Sequence, residues 1–259
     1  MKRRAFIKQL GQGAATFTIV PSFVLGGNHT APSDLLYIAC FGVGGRGEGV
    51  ISNLESTTKV RIVSLCDVDR NRAFNTIKAY PNVNYYQDFR DVYDKHINEI
   101  DAIMVATPDH THACISLPFM RAKKHAYVEK PLTHNIYEAR IMADTAKKEK
   151  IVTQMGNQGV SGGGSTIIKH WIEKGEIGKV TKIDCWTNRP VWPQGFTEIP
   201  TEQAIPKNLE WDQWLGPAAY RSYSSSYLPF KWRSYWDFGT GALGDMGCHI
   251  IETPFNALN

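Results

Sequence analysis

Leu35-Leu36-Tyr37-Ile38-Ala39-Cys40-Phe41-Gly42-Val43-Gly44-Gly45-Arg46-Gly47 is an apolar run that ends in a glycine-spaced turn. A run this short, bounded by glycines, reads as a buried strand. The turn has the form G-x-G-x-x-G, and an amphipathic segment from Arg46 to Leu54 follows it directly. Gly42 lets the chain turn tightly, Gly44 lets backbone N–H groups approach a pyrophosphate, and Gly47 lets helix pack on strand. Gly45 and Arg46 complete the loop and join the expected cofactor contacts. A second apolar run, Val60 to Cys66, ends at Asp67, twenty positions after Gly47. A carboxylate there accepts hydrogen bonds from ribose hydroxyls and repels a 2′-phosphate, which points to NAD rather than NADP. Arg70, three residues on, tempers that preference. The competing reading is a glycine-rich turn in a non-nucleotide α/β protein, with Asp67 as a helix N-cap.

Further apolar runs occur at Asp101 to Ala106, Ala126 to Glu129 and Ile151 to Met155. Helical patterns lie between the runs at Arg70 to Ala79, Thr111 to Lys123 and Asn135 to Lys148. Strands separated by helices of this length predict an α/β fold, a doubly wound parallel sheet of Rossmann type. We assign residues 34–155 to this dinucleotide-binding domain and 156–259 to a partial substrate-binding domain.

Composition narrows the partners. The chain carries 29 Lys and Arg against 25 Asp and Glu. Lys2, Arg3, Arg4 and Lys8 lie in an acid-free leader, and removing those four leaves 25 against 25. The body therefore gives no electrostatic reason to expect nucleic acid or an anionic membrane as partner. The leader, residues 1–27, is too short and too weakly apolar for a membrane span. It resembles a twin-arginine export signal, with Lys2 where Ser or Thr is preferred, so a periplasmic protein cleaved near Gly26 or Gly27 is expected. The five cysteines, at 40, 66, 114, 185 and 248, form no CxxC pair and read as small buried hydrophobes; no metal site is expected.

The fourth run ends in Ala106-Thr107-Pro108-Asp109-His110-Thr111-His112, at the sheet edge where such folds collect ligands. Thr107 and Pro108 are expected along the cofactor, with His112 and Glu129 beside it. His110 and His112 read first as capping or packing residues. The fifth run ends in Glu129-Lys130-Pro131. With GVGGRG, Asp67 and TPDHTH, this EKP makes the chain resemble the Gfo/Idh/MocA oxidoreductases, named for glucose-fructose oxidoreductase and inositol dehydrogenase, over about Asp34 to Asn259. The resemblance implies that Lys130 sits beside nicotinamide and substrate hydroxyl. An ammonium there steadies negative charge on oxygen during hydride transfer.

A helix pattern from Ser165 to Lys174 and a strand pattern from Lys179 to Trp186 open the second half. An aromatic-rich stretch follows, including Trp186, Trp192, Trp211, Trp214, Tyr220, Tyr223, Tyr227, Phe230, Trp232, Tyr235 and Trp236. Aromatic faces stack on sugar C–H faces while polar neighbours read hydroxyls; Arg233 and Trp236 are the substrate candidates, and much of the set is ordinary core. Trp211 to Pro217 resembles exported, sugar-acting members. Asp245 and His249 stand four apart, so a helix places both on one face and the carboxylate can orient the imidazole as a base. The resemblance casts Lys130, Asp245 and His249 as the catalytic set, with His249 taking the hydroxyl proton. Gly156-Asn157-Gln158-Gly159 lacks the aromatic and basic residues that many members carry there. The sequence stops at Asn259 inside a helical pattern. The resemblance implies more chain beyond it, a second domain with a predominantly antiparallel sheet that is incomplete here, and a homo-oligomer when complete. The expected function is NAD(H)-dependent oxidoreduction of a sugar CH–OH with a tightly bound, recycled cofactor. NAD-dependent glycoside hydrolysis through transient oxidation and elimination, and non-catalytic sugar or cofactor binding, are the alternatives.

Overall fold

The computed structural model describes residues 34–258 except 190, 193 and 197; the leader at 1–27 lies outside the described residues. The chain alternates strands β1 (Leu36–Phe41), β2 (Val60–Cys66), β3 (Asn84–Tyr86), β4 (Ala102–Val105), β5 (His125–Glu129) and β6 (Thr153–Gly156) with helices α1 (Arg46–Ser56), α2 (Phe74–Ala79), α3 (Phe89–His96), α4 (His112–Arg121) and α5 (Ile136–Glu149). The order across the sheet is β3-β2-β1-β4-β5-β6, and every pairing is parallel. The order reverses between β1 and β4, and ligands of open parallel sheets collect at the carboxyl ends beside that crevice.

Alternation along β1 explains why the sheet needs helices on both sides. Ala39 and Phe41 enter one apolar layer with Val92, Phe119 and Val128, while Ile38 and Cys40 enter the other with Val50, Leu65 and Met104. Both faces are therefore covered, and the strands read as continuous apolar runs. Pattern reading missed β3 and α3. β3 is three residues long and α3 is dominated by charge, so neither presents enough periodic apolar sequence to stand out. The Arg70–Ala79 helix is shorter than expected, beginning at Phe74 after a turn at Asp69, whose carboxylate accepts from the amides of Asn71 and Arg72.

Beyond β6 come α6 (Gly163–Lys174), α7 (Trp211–Leu215), α8 (Gly241–Ile250) and α9 (Glu252–Leu258). The strand expected at 179–186 is not formed: among the described residues there is no ladder partner for it, and it lies mostly exposed. An extended segment becomes a strand only when a neighbour takes its N–H and C=O groups. Accordingly, the antiparallel sheet expected of the second half is absent among the described residues. In its place a buried aromatic cluster of Trp211, Trp214, Tyr223, Tyr227, Trp232 and Phe238 packs around Leu209 and Leu215. These rings are core, as expected for much of the aromatic set, whereas Trp186, Tyr220 and Trp236 are exposed. From Leu36 onward the chain forms one compact unit, so the boundary at Met155 marks a change of role and no break in packing.

Candidate active site

The glycine turn is fixed by contacts that no side chain could share. Gly42 has φ +71°, and a Cβ there would stand 2.7 Å from the backbone of Ala106 and Thr107 at the end of β4. At Gly47 a Cβ would meet the carbonyl oxygen of Gly42 at 1.8 Å, so the third glycine brings α1 against the turn. Gly45 caps α1 in a non-helical conformation, with no side chain satisfying the first amides. An uncapped helix start at a glycine turn is the arrangement that receives phosphate oxygens.

Asp67 stands at the tip of β2, where its Oδ2 accepts from Gly44 N–H and its Oδ1 from Asp69 N–H, each at 3.0 Å. Burial raises this carboxyl to about 6, and the two amides oppose the rise. A cavity of about 510 Å³ opens between the turn and the second half, lined among others by Gly42, Gly44, Arg46, Asp67, Thr107 and Pro108. Its size suits a dinucleotide. The glycine cradle, the uncapped helix start and the ribose-side carboxylate all face one space, so the residues present fit NAD. Arg70 does not serve here: its guanidinium lies over the Tyr85 ring, 5.5 Å from the centroid. Arg72 does, since its side chain lies against Gly44 and Gly45 and lines the cavity. Sequence reading passed over Arg72 because nothing in the spacing aims a residue of the β2–α2 loop back at the turn.

Lys130 follows β5, and its backbone amide donates to Gly156 O at the tip of β6. Its Nζ donates to Asp245 Oδ1 at 2.7 Å and to Asp245 O at 2.9 Å. Asp245 was expected to orient His249; instead its carboxylate holds Lys130, with Arg233 Nε 3.6 Å from the same oxygen. Two cations outcompete a neutral imidazole for one carboxylate. His249 Nδ1 is buried with no hydrogen-bond partner among the described residues. Burial, then the charge of Lys130, lowers its pKa from the ordinary value of 6.5, and Asp245 opposes this. The ring is thus a neutral base beside a fixed cation.

The remaining assigned residues separate. Glu129 is buried and takes Arg46 Nε and one terminal nitrogen at 3.0 Å each, so it acts on the cavity by holding Arg46. His112 was assigned to the cofactor but does not line the cavity. Its ring nitrogens lie 2.8 Å from Pro131 O and Thr107 O, bracing the segment after Lys130 against the end of β4. Arg233 lines the cavity with its guanidinium carbon 4.1 Å from the Trp232 ring centre. The Trp236 ring is 84% exposed and is not gathered with the others.

A dinucleotide cradle on a Rossmann sheet is joined through Arg233 and Asp245 to a lysine and a neutral histidine. Two family models agree: an oxidoreductase family with an NAD-binding Rossmann fold matches residues 36–157, and the C-terminal alpha/beta domain of the same family matches residues 165–257. The chain belongs to the Gfo/Idh/MocA oxidoreductase family. It is 26% identical over 154 residues to a glycosyl hydrolase family 109 protein of Shewanella pealeana, covering 57% of this chain and 34% of that one. It is also 26% identical over 170 residues to a levoglucosan dehydrogenase of Pseudarthrobacter phenanthrenivorans, covering 65% and 35%. The chain thus spans about a third of the length of these relatives. The fold matches that of the WlbA dehydrogenase from Chromobacterium violaceum, solved with NADH and UDP-GlcNAcA, at a TM-score of 0.61 and 17% identity over 90% of this chain and 56% of that one.

Proposed function

We propose that this protein oxidises or transiently oxidises a secondary hydroxyl of a sugar or sugar derivative, with the nicotinamide dinucleotide held and recycled in the site. The observation that carries this reading is the pairing of a fixed Lys130 ammonium with a neutral His249 on the helix of its partner Asp245. Asp245 occupies two of the three N–H donors of Lys130, leaving the third for a substrate oxygen. His249 takes the hydroxyl proton, while Lys130 stabilises the negative charge that grows on that oxygen. Asp245 positions Lys130 and is not the orienter of His249. The dinucleotide, when bound, supplies the hydride acceptor. Arg233, between cavity and Asp245, is the polar group offered to further hydroxyls.

Lys130→Met and His249→Ala are expected to lower turnover of a sugar substrate by at least about a hundredfold, the range of a lost acid–base group, with NADH affinity within twofold of the unmodified protein. Turnover at the unmodified rate in either variant refutes the roles. The acid limb of the rate profile is expected below pH 6.5, because the histidine is held neutral by burial and by Lys130.

The similarity to glycosyl hydrolase family 109 favours one further outcome, in which oxidation to a transient ketone would permit elimination of a glycosidic substituent, water would add to the resulting enone, and the ketone would take the hydride back from the reduced dinucleotide. Release of nitrophenol from a nitrophenyl glycoside without net NADH formation supports it; NADH accumulating with a free sugar supports the dehydrogenase. Residues 1–27 are proposed as a twin-arginine export leader, on the strength of Arg3-Arg4 followed by an acid-free, mildly apolar stretch. Twin-arginine export carries folded protein, and a recycled cofactor suits that route because no soluble NAD pool is expected outside the cytoplasm. Changing Arg3 and Arg4 together to Lys is expected to retain the protein in the cytoplasm; unchanged fractionation argues against the leader.

A further inference from the structure

About a third of the residues lining the dinucleotide cavity lie outside the Rossmann elements. Gln213, Gly216, Pro217, Leu228, Pro229 and Arg233 line it from the side facing the glycine turn, and all belong to the segment 206–233. That segment is tied down where the adenosine-side carboxylate sits. Arg70 N–H donates to Asn208 O at 3.0 Å, Glu210 N–H to Val68 O at 2.9 Å and Asn208 Nδ2 to Asp69 Oδ1 at 2.7 Å. Asp69 and Leu209 form an antiparallel bridge. A second anchor is the buried His110, whose ring nitrogens lie 3.0 Å from Trp214 O and 3.2 Å from Phe238 O. Between the anchors the Trp211 and Trp214 rings stack at 4.8 Å, so the span is stiff.

Charge on the cavity wall points the same way. Arg46 is paired with Glu129, Arg90 with Asp88 and Arg233 with Asp245. Arg72, whose guanidinium lies against Gly45 and whose charge acts on Asp67, makes no salt bridge among the described residues. A cation left unpaired at the glycine turn suits an anionic ligand group.

We propose that the segment 206–233 is the second wall of the dinucleotide site, a strap that with Arg72 encloses the bound NAD and sets its rate of release. The proposal deepens the reading of a resident, recycled cofactor and rests on it for its biological purpose. A ligand seated between turn and strap is retained by the ties of the strap to Val68 and Asp69. Release is slowed without any new chemistry at the nicotinamide.

The test is the release rate of NADH from the full chain, followed by loss of its fluorescence on dilution into excess NAD. Asn208→Ala removes one tie, Gln213→Ala trims the wall, and Arg72→Gln removes the unpaired cation. Asn208→Ala and Arg72→Gln are each expected to speed release at least tenfold, and Gln213→Ala several-fold, with the melting temperature of the free protein unchanged. Rates within twofold of the unmodified chain in all three overturn the strap. Hydrogen exchange of the unmodified protein gives an arm independent of variant folding: NADH is expected to slow exchange in 206–217, and no slowing overturns the proposal. The absolute release rate in the unmodified chain tests residency, whereas the rate ratios and the hydrogen exchange test the strap, so the two fail separately.

Discussion

Asp67 is a carboxyl held in a buried place. Burial raises its carboxyl to about 6, against the pull of the Gly44 and Asp69 amides. Since the folded-state value is raised, protonation favours the folded chain, and this group's contribution to stability weakens as pH rises from about 4 through 6. On the proposed role of Asp67 as ribose acceptor, ligand binding runs the other way, because ribose hydroxyls need the ionised carboxylate. NAD affinity is therefore expected to fall about tenfold per pH unit below about 6, the slope of one linked proton. Fluorescence titrations at pH 5.0 and 7.5 check this, and equal dissociation constants would sink it. His249 shows the limit of residue-level reading. Its spacing from Asp245 is right for a pair, yet the carboxylate prefers the ammonium of Lys130, which arrives from another strand.

At the scale of elements, the loop after β6 and the helix α8 meet through one glycine. A Cβ on Gly159 would stand 2.7 Å from His249 Nδ1, and Asn157 Nδ2 donates to Cys248 O at 2.6 Å, locking loop to helix. The run Gly156 to Gly159, noted in the sequence for the side chains it lacks, is thus the recess that admits the imidazole. Gly159→Ala is expected to displace the ring and lower kcat by about a hundredfold, the penalty of ångström-scale misplacement. NADH affinity should be unchanged, because the recess lies outside the lining of the cavity. Steady-state kinetics beside NADH titration separates the two effects; an unaltered kcat would mean that the ring has room to spare. The same scale explains the expectations that were missed. β3 takes its place from pairing with β2 at Ser64 to Cys66, a partner that its own three residues cannot announce.

For the molecule as a whole, the aromatic cluster does what the second half of a sandwich or sheet would do elsewhere: it makes a core. Trp211 is 2% exposed, stacks on Trp214, packs edge-on against Tyr223, and donates its Nε1–H to Arg221 O at 2.8 Å. Trp211→Ala is expected to cost about 3–5 kcal/mol, the range for deleting a large buried ring, read as a lower urea midpoint. If the segment 206–233 closes the cavity, NADH release should also accelerate in that variant. A midpoint unchanged within error would show that the cluster is peripheral to stability.

The sequence determined the dinucleotide sheet almost alone, because each of its signals is local. Apolar runs alternate with amphipathic helices, glycines stand where the backbone must close on itself, and Asp67 follows its strand directly. It also singled out Lys130, Asp245 and His249, though only through a motif resemblance. Tertiary structure decided how those three pair, that Arg72 rather than Arg70 faces the turn, and that His112 braces backbone. It also placed Trp214 and Trp232, two rings of the aromatic core, on the wall of the cavity. Each of these depends on which side chains arrive together from distant elements, and the charge and burial they then share are properties of the assembled neighbourhood, which no spacing along the chain encodes.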